Sequence, residues 1–396
     1  MIERVAFLSM HASPLDQPGI GTAGGMNVYI DELSRTMAGR GVEVDVYVRK
    51  TSKELPDFMD VDGSYRVHHV EAGPLHALPI PRLARYVRPF AEGVMKRFDV
   101  EPDIVHSHYW LSGWAGLAIR RTLGIPHANS FHTLGRVKDL TRRLDEPPES
   151  LLRIATEHEV IEESDCVVAS TPSEAAHLME HYGADPGRIC TSPPGVDRAI
   201  FSPGDRREAR SALGLNEGPL ALFVGRIQPL KGIDVAVQAA ALVPDLTLLV
   251  VGGPSGAQGE AELERLQAHS TGGRVRFVEP VPHDQLAAYY RAADVLLLPS
   301  RSESFGLVAA EAQTCGIPVV AARVGGLTDV VSDGSSGILV DGWDPVDYAI
   351  AIEKAIGDGG LAEGALEWSE RFSWTATANR FLELYEGAAR GRETPS

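Results

Sequence analysis

Two acids and two cations carry the chemical interest of this sequence. Glu303 follows an apolar run, 293–298, that reads as a buried strand, and Glu311 sits inside the segment after it, which reads as a helix beginning near residue 305. The first amides of that helix, near Phe305, Gly306 and Leu307, lack intrahelical partners and carry the positive end of the dipole, so they can receive a phosphate or sugar oxygen. Acids on either side could hold two hydroxylated groups flanking that anion. A capping acid followed by a surface acid is the plainer alternative, and the spacing alone leaves it open.

The cations lie in Gly225-Arg226-Ile227-Gln228-Pro229-Leu230-Lys231-Gly232, directly after an apolar run at 220–224 and before a helical stretch at 234–242. Arg226 and Lys231 flank a proline-stiffened turn at a strand's carboxyl end, where both can bear on one phosphate beside a helix N-terminus. The GxxxxGK[ST] order of a Walker loop is absent. Glycine turns follow at 252–256 and 324–327. Earlier in the chain, Gly19, Gly21 and Gly24 satisfy GxGxxG, with Asp45 downstream, which raises a dinucleotide site. Pro14 and Pro18 separate the strand from those glycines, whereas that fingerprint needs a tight turn. A long loop closing Gly24-Gly25 against a ligand fits better, since missing side chains let backbone amides approach an oxyanion. His106-x-His108 invites a metal, but no partner ligand follows at a recognisable spacing. Tyr109 and Trp110 end the same strand, and Phe131-His132-Thr133 brings another histidine to that rim.

These residues need a frame. β-branched runs at 5–9, 42–48, 66–70, 104–106, 126–130 and 166–170 alternate with helical stretches such as 28–40 and 150–163, which predicts a parallel sheet covered on both faces. The Pro/Gly-dense passage at 193–204 reads as a linker, with a boundary near Ser202, and strand–helix alternation restarts at 220–224, 246–251, 275–278, 295–298 and 319–321. A chain of 396 residues fits two domains. A final helix at 374–389 has an apolar side, including Phe381, Leu384 and Tyr385, that a return to the first domain would cover.

Composition narrows the class. With 44% hydrophobic and 23% charged residues the chain can bury large cores. No apolar run approaches the roughly 18 residues of a membrane span, and the N-terminus reads as a first strand, so a cytoplasmic protein is expected. A net charge of −17 disfavours non-specific nucleic-acid binding. Cys166, Cys190 and Cys315 form no CxxC pair and read as buried thiols.

Taken together, Gly225-Arg226 to Lys231-Gly232, the spacing from Glu303 through Phe305-Gly306 to Glu311, Gly24-Gly25-Met26-Asn27 and His106 to Gly113 resemble the retaining glycosyltransferases of family 4, and within it the inositol-phosphate and sucrose-phosphate branches. The resemblance implies the GT-B fold, two Rossmann-like domains facing across a cleft: 1–201 binding the acceptor, 202–373 binding the nucleotide sugar, and 374–396 returning to the first domain. It implies transfer of a hexose or N-acetylhexosamine from a nucleotide diphosphate sugar, with UDP the usual carrier, to a small cyclitol, aminocyclitol or sugar acceptor, phosphorylated or not. By similarity, Arg226 and Lys231 would neutralise the diphosphate, Glu311 hold the ribose and Glu303 a hydroxyl of the sugar. Gly25, Phe305, Gly306 and Leu307 would give backbone contacts, and His132 would lie near the anomeric carbon. Asn27, Tyr109, Thr133 and Arg153 match acceptor contacts. No cofactor or metal is required on this reading, which leaves Mg²⁺ assistance and a homodimer open.

Two departures stand out. Thr22 replaces the acid of the family's glycine loop, and Ile80 falls where inositol-phosphate enzymes place a lysine on the acceptor phosphate, with Arg82 nearby. An NAD-dependent dehydrogenase using Gly19, Gly21 and Gly24, and a catalytically silent sugar-nucleotide sensor, are the competing readings.

Overall fold

The computed structural model describes residues 1–21, 23–143, 146–255, 259–269 and 273–390. Thr22, Gly256 and 391–396, which enter the readings above, lie outside the described residues. Apolar runs long enough for one strand each, separated by helices, form two sheets. The first has eight strands in the order β3-β4-β2-β1-β5-β6-β7-β8. These are β1 (Arg4–Leu8), β2 (Glu43–Arg49), β3 (Phe58–Val61), β4 (Tyr65–Val70), β5 (Ile104–His108), β6 (His127–Ser130), β7 (Cys166–Ala169) and β8 (Ile189–Thr191). All neighbours are parallel except β3 against β4. The second sheet has six parallel strands, β9 (Leu220–Val224), β10 (Thr247–Val251), β11 (Val275–Val278), β12 (Val295–Leu298), β13 (Val319–Ala322) and β14 (Gly337–Val340), in the order β11-β10-β9-β12-β13-β14. Central strands such as β9 and β12 are buried along their whole length, as a parallel sheet covered on both faces requires.

Each sheet has a switch point where the parallel strand order reverses, between β1 and β5 and between β9 and β12. Ligands of open α/β sheets collect at the carboxyl side of such switch points. There the chain places the loop before helix Gly25–Ala38 and, after β5, Tyr109; in the second lobe it places Arg226 after β9 and Glu303 after β12. The last helix, Trp374–Arg390, lays Trp374, Ala378, Phe381 and Tyr385 into the first lobe's core beside Tyr29 and Leu33. The Tyr385 hydroxyl is 2.5 Å from His106 Nδ1.

Two expectations need correction. Cys166 and Cys190 are joined as a disulfide, with Cα atoms 6.0 Å apart, so only Cys315 among the three is a free buried thiol. Parallel pairing of β7 with β8 brings the two together, a tertiary juxtaposition that their sequence spacing does not signal. The helix after Glu303 begins at Leu307 rather than near 305, because Gly306 adopts φ 101° and breaks the helical path. Phe201 and Val196, on the first-domain side of the linker reading, pack into the second lobe's core.

Candidate active site

The second lobe supplies the charge. After β9, the short turn Pro229–Lys231 brings Lys231 Nζ to 2.6 Å from Glu303 Oε2. Arg226 makes one long contact, 3.5 Å from Nη1 to Ser255 Oγ, and its guanidinium otherwise faces the cleft. Glu303 is held from behind, since its carbonyl accepts the Gly326 N–H at 2.8 Å. At Gly306 a Cβ would stand 2.7 Å from Leu327 Cδ2, so both the backbone angle and the close packing call for glycine. This opens the amide end of helix Leu307–Thr314 toward the cleft. Phe305 itself is buried against Phe372, with ring centroids 5.6 Å apart.

The first lobe supplies the glycine loop and the histidines. Gly24 and Gly25 start helix Gly25–Ala38, and a Cβ on Gly24 would stand 3.4 Å from Arg226 Nε. The loop ahead of them is fastened to the other lobe: Gln17 Nε2 donates to the Pro280 carbonyl at 2.9 Å and Ser255 Oγ to the Gly21 carbonyl at 2.6 Å. Asn27, assigned by resemblance to the acceptor, is buried, with Oδ1 accepting from Gly24 N–H and Nδ2 donating to the Ser13 carbonyl. In the structure it shapes the loop and lines neither cavity.

Tyr109 and His132 hold φ at 76° and 58°, a costly region for residues with a side chain and one that clusters at functional sites. His108 Nδ1 lies 3.0 Å from His132 Nε2, and Ser304 Oγ crosses the cleft to the His132 carbonyl at 2.7 Å. Burial lowers the His132 pKa to about 3, with His11 adding to the effect, so the ring is neutral at ordinary pH. Arg153 is buried, and its guanidinium is 2.7 Å from Glu157, 3.1 Å from Glu149 and 2.9 Å from the Thr133 carbonyl, with its carbon 5.1 Å from the Tyr109 ring centre. It braces Tyr109 and Thr133 from behind rather than lining the cavity.

Two adjoining cavities result. The one on the second lobe's side is lined by Gly25, Arg226, Lys231, Glu303, Leu307 and Glu311. The other is walled by His11, Tyr109, His132, Thr133, Lys138 and Ile80. Arg226, Lys231, Glu303 and Gly306 border both. Arg82 is exposed and lines neither. Among the described residues no group of three or more His, Cys, Asp or Glu gathers as a metal site. No helix among them is long and apolar enough to cross a membrane.

The dinucleotide reading loses its acid. Asp45 sits within β2, bound by Arg66 at 2.7 Å and His68 at 2.7 Å, and sixteen residues separate β1 from helix Gly25–Ala38, where that fingerprint needs a tight turn directly after the strand. Sequence reasoning missed His11 on the cavity wall, Ser304 across the cleft, and His283 and Tyr290, which hold the Glu311 oxygens at 2.7 Å each. Of these only Ser304 stood inside a motif that the sequence singled out.

His106, His108 and His127 are wholly buried, and burial, the first cause in each case, pulls their pKa below 6.5, for His127 to about 3. A depressed histidine contributes stability that is complete above its unfolded pKa and is lost as pH falls toward the folded value, because only the unfolded chain takes up the proton. Each such group changes stability by up to about 1.4 kcal/mol per pH unit in that window. The melting temperature is therefore expected to drop steeply between about pH 6 and pH 4. Scanning fluorimetry across that range checks it, and a flat profile contradicts it.

A cleft between two Rossmann-like lobes, with cations and a helix N-terminus on one wall, is that of a GT-B glycosyltransferase. Residues 23–199 match the family described as Glycosyltransferase Family 4, and residues 205–371 match Glycosyl transferases group 1. A D-inositol 3-phosphate glycosyltransferase of Thermomonospora curvata is 45% identical, over 98% of this chain and 96% of its own. The fold superposes on sucrose-phosphate synthase from Thermosynechococcus elongatus with a TM-score of 0.92 at 33% identity, covering 98% and 100% of the two chains. Anabaena HepE, solved in complex with UDP and glucose, shares the fold with a TM-score of 0.77 at 19% identity, covering 97% of this chain and all of its own. The chain belongs to the same glycosyltransferase family as the Thermomonospora enzyme.

Proposed function

We propose that this glycosyltransferase moves a hexosyl or N-acetylhexosaminyl group, with retention at the anomeric carbon, from a nucleoside diphosphate sugar to a small cyclitol, aminocyclitol or sugar. UDP is the expected carrier. The observation that carries the reading is the meeting of Arg226 and Lys231 with Glu303 and the Gly24-Gly25 loop at the boundary of two cavities. The donor-side cavity takes the nucleotide, with Glu311 toward the ribose, and the other takes the acceptor, near Tyr109 and Thr133.

As the bond from C1 to the diphosphate oxygen breaks, the electron pair moves onto the leaving diphosphate. Arg226, Lys231 and the amides near Gly306 and Leu307 lower the energy of that growing charge more than that of the ground state. The acceptor oxygen attacks C1 from the face the diphosphate leaves, and its proton passes to the departing phosphate oxygen. Neutral His132 offers the anomeric centre a dipole without a competing positive charge.

Relatives named for inositol 3-phosphate have a phosphorylated acceptor. In this chain Lys138, on the acceptor wall, is salt-bridged to Glu149, while Ile80 adds no charge. The test is a matrix of labelled UDP-, GDP- and ADP-sugars against inositol, inositol 3-phosphate, fructose 6-phosphate and an aminocyclitol. Transfer with retained configuration, undiminished by excess EDTA because fixed cations meet the leaving group, is expected. A donor bound but never consumed would instead favour the sensor reading.

A further inference from the structure

The donor-side cavity contains a device that the transfer chemistry above does not use. Glu311, on helix Leu307–Thr314, is buried, yet its side chain reaches the cavity. Each of its oxygens already has one partner: Oε1 is 2.7 Å from His283 Nε2, and Oε2 accepts the Tyr290 hydroxyl at 2.7 Å. Both partners are themselves fixed. Tyr290 is wholly buried in helix Leu286–Ala292, and Phe201 packs its ring 5.0 Å from His283 and 5.8 Å from Tyr290. A carboxylate has about four lone-pair sites, so two donors at separate oxygens stop its rotation while leaving each oxygen able to accept once more. Two further acceptor sites on one rigid carboxylate suit a vicinal diol.

We propose that His283 is a positioning residue for nucleotide binding: together with Tyr290 it locks the Glu311 carboxylate in the orientation that receives the two ribose hydroxyls. The proposal rests on the reading that Glu311 faces the ribose. His283 is the adjustable member, because the Tyr290 phenol stays neutral while the imidazole can carry charge. Burial pulls the His283 pKa down, but Glu311, first by charge and then by its hydrogen bond, outweighs that pull together with Glu32 and Asp284, so the value is raised. The groups facing it are Glu311 from its own helix, Asp284 from the same turn, Tyr290, Phe201 from the linker, and Glu32 from first-lobe helix Gly25–Ala38. Burial, then Asp197 and Asp31, push Glu32 up to about 7. A raised histidine supports Glu311 fully at lower pH and loses its charge as pH climbs through the raised value.

The experiment compares calorimetric affinities for UDP and 2′,3′-dideoxy-UDP in wild type, His283→Ala and His283→Gln. Because both ligands carry the same diphosphate, their ratio cancels its titration and isolates the diol. Wild type is expected to favour UDP by roughly 10- to 100-fold, the worth of hydrogen bonds to a charged group. His283→Ala should cut that ratio at least several-fold, and His283→Gln, which keeps a donor, should restore most of it. The wild-type ratio should fall at alkaline pH and the glutamine variant's should not. A wild type indifferent to the hydroxyls overturns the Glu311 reading and the proposal with it. A discriminating wild type matched by an equally discriminating His283→Ala overturns the proposal alone.

Discussion

Replacing Arg226 by alanine is expected to lower kcat by ~10²–10³, the effect of removing one preorganised donor from a developing oxyanion. The guanidinium stands where both cavities meet, close to the Gly24 backbone, in a site poorly screened by water. Charge placed there acts on the leaving diphosphate through a low effective dielectric and needs no rearrangement as the bond breaks. Its contribution to folding is small by comparison. Among the described residues its side chain makes one hydrogen bond, long at 3.5 Å, and burial works against the charge, pulling its pKa down. The variant should therefore melt close to wild type. Arg226→Lys should recover part of the rate, since a lysine restores charge but not the planar fork. Steady-state kinetics beside scanning fluorimetry decide the matter: unchanged turnover in a folded Arg226→Ala enzyme removes Arg226 from the mechanism.

Central strands declared themselves in the sequence because burial on both faces leaves little room for anything but aliphatic residues. Leu220–Val224 and Val295–Leu298 are found where the runs place them, and β10, Thr247–Val251, within one residue. Edges did not. β3 is mostly exposed and pairs antiparallel, so Phe58–Val61 has neither the run nor the alternation of an inner strand, and β8 and β14 are only three and four residues long. The site divided in the same way. Arg226, Lys231, Glu303 and Gly306 each follow a strand and sit in a glycine- or proline-marked turn, a local signal that sequence carries. What positions them arrives from far along the chain. His283 reaches Glu311 across 28 residues, Ser304 reaches His132 across 172, and the pairing of Cys166 with Cys190 depends on two strands becoming neighbours. None of these contacts leaves a periodic trace. Asn27 shows the converse: its motif is legible, but only coordinates reveal that both ends of its amide are committed to the Gly24 loop.

Neutralising Glu303 should separate two functions that one salt bridge now couples. In the structure Lys231 Nζ is shared with Glu303, and both side chains are largely buried, at 22% and 18% exposure, so solvent screens the pair only partly. A diphosphate entering the cavity competes with that carboxylate for the same ammonium and is repelled by its charge. Glu303→Gln keeps the shape, and the Gly326 N–H still holds the backbone, so the loop should not move. UDP, which has no sugar to lose contacts, is then expected to bind several-fold more tightly. A nucleotide sugar loses a charged acceptor for one of its hydroxyls, worth roughly 10–10² in turnover, and its transfer should slow accordingly. The opposite signs make the test sharp, because general damage would weaken binding and catalysis together. Calorimetry with UDP and single-turnover transfer from the intact donor supply the two readouts. Weaker UDP binding with wild-type transfer would place Glu303 on the nucleotide side of the cleft and move the sugar elsewhere.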